Sequence, residues 1–103
     1  MLSDMAPEPG ADGELRLRIE HIDRFGNLIT NLAGGDVPAG DGFRFAVGEQ
    51  VAVGVRRNYG AADGLIAVVG GMGYLELAAP VGSAQALTAA AIGDAVIMSS
   101  SGG

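Results

Sequence analysis

Ile19-Glu20-His21-Ile22-Asp23-Arg24-Phe25-Gly26-Asn27-Leu28-Ile29-Thr30-Asn31 reads as a strand end, a dense polar turn and a second strand, and the rest of the chain takes its plan from it. Upstream, Leu15, Leu17 and Ile19 alternate with Arg16, Arg18 and Glu20, the period-2 pattern of a half-buried strand over residues 14–23. His21 continues the apolar face in register while Ile22 falls on the polar face, so the strand either bends there or has its second face covered by a neighbour. Residues 28–32 form a short second strand, and Thr30 and Asn31 add further hydrogen-bonding groups.

The turn between these strands supports two readings. In one, Asp23 and Asn27 bond to their own backbone, Gly26 supplies a positive φ, and Phe25 folds over the core. In the other, Phe25 offers a flat apolar face and Asn27 a paired donor and acceptor, the combination a planar heterocycle such as adenine requires.

Working outward, residues 33–42 form a loop rich in Gly and Pro. Phe43 and Phe45 alternate with Arg44 and Ala46, then Val51, Val53 and Val55 with Ala52 and Gly54, and the Gly48-Glu49 break makes the pair a hairpin. Arg56-Arg57-Asn58-Tyr59 closes that hairpin before a loop at 60–64. Residues 65–69 are continuously apolar, suited to a strand buried on both faces, and Gly70-Gly71-Met72-Gly73 leads into a strand at 74–78 with Glu76 among apolar neighbours. No Lys, Ser or Thr follows those glycines, which reduces them to a turn rather than a phosphate cradle. Residues 83–92 have the composition of a helix, with Ser83 as N-cap and Gly93 as the stop, and 95–98 form a last strand. The expected fold is mainly β, a small antiparallel β-barrel of about six or seven strands with one short C-terminal helix. Residues 1–13 read as a flexible lead-in, 14–98 as the barrel and 99–103 as a disordered tail.

Composition narrows the chemistry. The 103 residues suit one domain. Absence of Cys excludes disulfides and thiolate metal sites, and the single His21 cannot build a histidine metal site in one chain. With 12 Asp and Glu against 6 Arg, a net charge of -6 argues against nonspecific nucleic-acid binding. No apolar run spans a bilayer and residues 1–13 lack the pattern of a secretory signal, so a soluble, cytoplasmic protein with no membrane partner is expected. His21 and Asp23 are near neighbours, but their spacing is not evidence of a catalytic dyad, and no nucleophile motif accompanies them.

Asp23-Arg24-Phe25-Gly26-Asn27-Leu28-Ile29-Thr30-Asn31 closely resembles the opening motif of the C-terminal domain in the S-adenosylmethionine hydroxide adenosyltransferase family, relatives of the fluorinases and chlorinases. The likeness runs through Tyr59, Gly73-Tyr74-Leu75-Glu76-Leu77-Ala78, Gly82-Ser83-Ala84 and Gly93-Asp94-Ala95-Val96, covering about residues 15–98. It does not include the family's larger N-terminal domain, so the chain is expected to be an excised domain or a split gene product.

The resemblance implies the same barrel and a nucleoside site with Phe25 and Tyr59 packing on adenine, Asn27 reading its edge and Ala84 adding a backbone contact. Two positions depart from the family. Gly70-Gly71-Met72-Gly73 stands where Asn-Ser-X-Gly is common, leaving the backbone amides of Gly71 and Met72 in place of the polar pair that holds the ligand's amino-acid end. Ser83 replaces the asparagine of a Gly-Asn-Ala segment. Family enzymes hydrolyse S-adenosylmethionine with N-terminal-domain residues, at sites shared between neighbouring subunits of a trimer. The resemblance therefore implies adenosine or S-adenosylmethionine as ligand, the latter a substrate rather than a cofactor, a catalytic N-terminal domain on another chain, a homotrimer as one assembly, and an isolated chain that is inactive. The alternative is a stand-alone structural or interaction module that has lost its ligand.

Overall fold

The structure is a computed structural model that describes residues 7–10, 13–37, 40–56, 64–80 and 82–100. Its strands are β1 (Glu8–Pro9), β2 (Leu15–Ile22), β3 (Leu28–Ala33), β4 (Gly40–Val47), β5 (Gln50–Arg56), β6 (Ile66–Val69), β7 (Tyr74–Ala78) and β8 (Ala95–Ser100), with one helix, α1 (Ala84–Thr88), before β8. A 3-10 turn at Gly34–Asp36 follows β3. The sheet order is β1-β2-β3-β7-β6-β5-β4-β8, and β8 pairs back onto β2. Seven strands thus close into a barrel and β1 lies outside it, within the segment expected as a lead-in.

Six of the seven barrel pairings are antiparallel, and β5–β6 is parallel. The expected antiparallel barrel is therefore a mixed one. Local hairpin signals predict antiparallel neighbours only, whereas a parallel pair depends on how the chain returns between strands.

The barrel interior is filled by Leu17, Ile19, Leu28, Phe45, Leu75, Leu77 and Val96, each with no exposed surface. Phe45 faces Ala52 across β4–β5, and both are fully buried, while Val51 and Val53 are exposed. The hairpin was legible, but at its centre Ala52 rather than Val51 or Val53 faces inward, while Val47 and Val55 at its ends pack on the core: a large ring fills a narrow barrel only against a small partner. Of the run 65–69 expected to be covered on both faces, Leu65 to Val68 are buried and Val69 is exposed.

Register slips flank β3 on both sides. Between β2 and β3 the pairing shifts between Ile19 and His21, and between β3 and β7 it shifts between Ile29 and Ala33. The first slip rotates the end of β2, so Ile22 packs against the core and His21 is exposed, the reverse of the simple alternation. At the second, Thr30 is fully buried, its hydroxyl donating to the Leu75 carbonyl at 2.9 Å and accepting from the Leu32 N–H at 3.3 Å. On the other side of β3, Asn31 accepts from the Arg18 N–H at 2.9 Å.

The helix is shorter than its composition suggested. Ser83 caps it as expected, accepting from the Ala86 N–H at 3.0 Å. It ends at Thr88 because that hydroxyl turns back to the Ala84 carbonyl at 2.8 Å and accepts from the Ala90 N–H at 3.2 Å, with Ala89 left-handed at φ 57. Asp94, not Gly93 alone, secures the following turn by accepting from the Ala91 N–H at 2.9 Å. β8 then runs to Ser100, two residues past the expected barrel end.

Thr30→Val removes the hydroxyl while keeping the shape, and leaves the Leu75 carbonyl and Leu32 N–H without that partner. The expected cost is about 1–3 kcal/mol, seen as a fall in melting temperature of roughly 5–15 °C by circular dichroism. A melting temperature within about 2 °C of wild type would show that the register slip needs no side-chain support.

Candidate functional site

Asp23 is the hub of the turn that joins β2 to β3. One carboxylate oxygen accepts from the Phe25 and Asn27 N–H groups, each at 2.9 Å, and the other from the Asn27 side-chain amide at 3.0 Å. Backbone bonds close the same turn, from the Asp23 N–H to the Asn27 carbonyl at 3.1 Å and from the Gly26 N–H to the Asp23 carbonyl at 2.9 Å. Burial opposes the charge of Asp23, but the hydrogen bonds from Asn27 and Phe25, with His21 nearby, outweigh it and hold the carboxyl below its ordinary 3.8. The local bonding expected of Asp23 and Asn27 is present and fixes the loop, but Phe25 does not fold over the core and stands 65% exposed.

Gly26 locks the loop onto α1. Its φ of 81° suits glycine, and a Cβ there would overlap Ser83 Oγ and lie 2.7 Å from Ser83 Cβ. The Gln85 N–H donates to the Gly26 carbonyl at 2.9 Å. The fold thus brings Phe25, Asn27 and Ser83 together, and Ala84 sits directly behind them, fully buried in the core. Arg24, a residue the motif reading passed over, lays its guanidinium 5.1 Å from the centre of the Phe25 ring. Phe25 thereby has one face partnered by a cation.

Gly71 and Met72 lie elsewhere. Their turn adjoins the opposite end of β3, where the Gly34 N–H bonds the Gly73 carbonyl at 2.6 Å. The length of β3, roughly 17 Å by strand rise, separates them from Asn27. Met72 is 56% exposed. Tyr59 lies outside the described residues.

Glu76 occupies the middle of β7, opposite Ile29 on β3 and Val68 on β6. Leu75 and Leu77 point into the barrel, which puts Glu76 on the outer face, yet it is only 7% exposed. Burial first, and the charge of Asp23 second, push its carboxyl above the ordinary 4.5. The sequence marked this residue only as an acid among apolar neighbours, and no local pattern shows that a strand's outer face will be covered.

Among the described residues no cluster of three or more His, Asp or Glu could hold a metal ion. No helix there is long and apolar enough to cross a membrane. A cleft of about 340 Å³ opens beside β1, β2 and β8, lined by Arg16, Arg18, Asn31 and Gly93 among others, and includes none of the sequence-predicted site residues.

The family described as the SAM hydroxide adenosyltransferase C-terminal domain matches residues 17–97. Among solved structures, the chain is similar to an uncharacterized conserved protein from Thermotoga maritima, with TM-score 0.74 and 24% identity over 95% of this chain and 40% of that one. It is also similar to a conserved hypothetical protein from Thermus thermophilus, with TM-score 0.68 and 31% identity over 94% of this chain and 36% of that one. The chain therefore spans about two fifths of these solved relatives. No curated protein matches it.

The two acids give opposite pH signatures. A carboxyl lowered in the folded state, as at Asp23, adds stability above 3.8 that is lost as pH falls through its folded value. A carboxyl raised in the folded state, as at Glu76, adds stability below 4.5 that is lost as pH rises through its folded value. In urea titrations from about pH 3 to 8, Asp23→Ala is expected to destabilise by about 1–2 kcal/mol near neutral pH and less at the acid end. Glu76→Gln is expected to remove the loss of stability above pH 4.5, and an unchanged pH profile would mean that the carboxylate is well solvated.

Proposed function

The chain belongs to the family of SAM hydroxide adenosyltransferase C-terminal domains, and from that premise we propose that it supplies the adenine-binding half of a site for adenosine or S-adenosylmethionine. One observation carries the reading. The Asp23 carboxylate, by accepting three hydrogen bonds, presents the Phe25 ring and the Asn27 amide on one rigid loop. Fixed aromatic area beside a fixed donor and acceptor suits a flat, polar-edged ring, because little side-chain entropy remains to be lost on binding.

In this reading adenine packs on the face of Phe25 away from Arg24, and the Asn27 side chain meets the ring's polar edge. Asn27 spends one amide hydrogen on Asp23 and keeps its second N–H and its carbonyl oxygen for a ligand. Ser83 and Ala84 serve from behind, Ser83 as the wall against Gly26 and Ala84 as core packing that sets the wall's position. Tyr59 is the candidate for the second aromatic face. Gly71 and Met72, at the far end of β3, reach the same ligand only if it runs along the barrel with its amino-acid end toward their backbone amides.

The chemistry itself belongs to a domain of the N-terminal type. This reading assigns no catalytic group to residues 1–103 and no cofactor, and it places water activation on such a domain of a neighbouring subunit, in a trimer or another shared-site assembly. Its cellular setting is the cytoplasm.

Adenosine and S-adenosylmethionine titrated into isotopically labelled protein are expected to give saturable amide shifts centred on Phe25, Asn27 and Ser83. Asn27→Ala should weaken binding about tenfold, the effect of one lost hydrogen-bonding group, with the remaining spectrum intact. Shifts absent at millimolar ligand would favour the alternative, a barrel used only as a scaffold.

A further inference from the structure

The buried acid of β7 has a place in that site which the aromatic loop does not fill. The Glu76 side chain leans over Gly70, where a Cβ would overlap its carboxylate group and lie 2.8 Å from Oε1. A methyl group at position 70 would make the carboxylate, the far end of a flexible side chain, move from this place. Around it stand Ile29, Ile66, Val68 and Ala78, all buried although they lie on the outer face of the barrel. Among the described residues the carboxylate has neither a hydrogen bond nor an ion pair.

A carboxylate on a residue only 7% exposed, among apolar neighbours, is incompletely solvated, and such groups are normally paired or neutralised. The surroundings of Glu76 add negative charge instead: Asp23 acts on it from the neighbouring loop. The described arginines nearest Asp23 in sequence are engaged elsewhere, Arg24 on the Phe25 ring and Arg18 on Glu20 at 3.2 Å, and His21, which acts on Asp23, is exposed and separated from Glu76 by Ile29 in the row across β2, β3 and β7. What this place lacks is a small positive charge.

Its position says which part of a ligand would bring one. Glu76 pairs across from Ile29, and Asn27 lies two residues before Ile29, in the turn that leads into β3, so Glu76 is about one diagonal step from Asn27. Such a step is about 7–8 Å between Cα atoms. In the other direction the carboxylate leans toward the Gly70-Gly71 turn. A nucleoside anchored at Phe25 and Asn27 and extending along β7 would reach Glu76 with its substituent on the ribose side, before Gly71 and Met72.

Resting on the adenine-site reading above, we propose that Glu76 is a specificity-determining residue whose carboxylate, seated in the space left by Gly70, receives the cationic group of an adenosyl amino acid, its sulfonium or its ammonium. Glu76 thus separates charged nucleosides from neutral ones. No covalent step is involved: the carboxylate supplies a fixed counter-charge in a poorly solvated place, where attraction to a cation is strongest.

The test compares three ligands on the 103-residue chain by amide titration: adenosine, S-adenosylhomocysteine, which has the ammonium but a neutral sulfur, and S-adenosylmethionine, which has both charges. Wild type is expected to bind S-adenosylmethionine about tenfold more tightly than adenosine, the effect of one favourable charge contact. Glu76→Gln should abolish that preference while adenosine affinity stays within about twofold, less than one lost hydrogen bond. Gly70→Ala, whose new methyl group displaces the carboxylate, should do the same and serves as the test if Glu76→Gln does not fold. Weakening of S-adenosylmethionine alone identifies the sulfonium as the bound group, and parallel weakening of S-adenosylhomocysteine identifies the ammonium. Equal affinities for all three ligands in wild type, or equal weakening of all three in Glu76→Gln, would overturn the role of Glu76 and leave the adenine site standing. Absence of adenosine binding itself would overturn both.

Discussion

The double register slip of β3 is the constraint on which this barrel depends. A seven-stranded barrel has no free edge, so β3 must match β2 and β7 at once, and it does so only by slipping against each. At each slip a backbone group takes a side chain as its hydrogen-bond partner in place of a ladder bond. Thr30 and Asn31 resolve the problem from opposite sides, Thr30 toward β7 and Asn31 toward β2. With the slips held, Leu28 and Leu32 keep facing the interior, and the strand leaves the turn at Asn27 at a fixed angle.

That angle is what turns a hairpin connection into a presenting surface. Asp23 holds three donors, Gly26 passes so close to Ser83 that no other residue fits, and the helix is pinned to the loop by the Gln85 N–H. The short helix contributes little by itself. Its role is to back the loop, and Ala84, buried in the main core, ties that backing to the barrel interior. Phe25 and Asn27 thus stand on a loop whose rigidity comes from the packed elements below it, the arrangement that recognition of a small rigid ring requires.

The sequence made the strands legible where one face meets water. Alternation placed β2, β4 and β5, and turn chemistry placed the breaks between them. It failed where a neighbour not adjacent in sequence decides the outcome. His21 and Ile22 exchange faces because of the slip against β3, Val51 and Val53 face outward because Phe45 fills the interior opposite Ala52, and the β5–β6 pair is parallel. The helix was overestimated because alanine propensity says nothing of Thr88, whose hydroxyl bonds backward and ends it. At the candidate site, the loop residues could be named from their types alone. The support from Asp23 and the proximity of Arg24 to Phe25 needed coordinates.

Glu76 shows most directly why the rest was illegible. An acid at a strand position whose neighbours point inward is expected to be solvated, and standing among apolar neighbours in sequence does not reveal its burial. Its burial arises from the covering of the outer face of β6 and β7, a property of the assembled barrel. A fold selected for stability alone would place an apolar or hydrogen-bonded residue there, since the ionised acid lowers stability as pH rises. Keeping a carboxylate there, with a glycine to make room for it, is the pattern of a site that trades stability for recognition. In the role proposed for Glu76, the unfavourable solvation of the free barrel is relieved when a cation arrives, so the same feature that weakens the empty domain would strengthen a preference for a charged ligand over a neutral one.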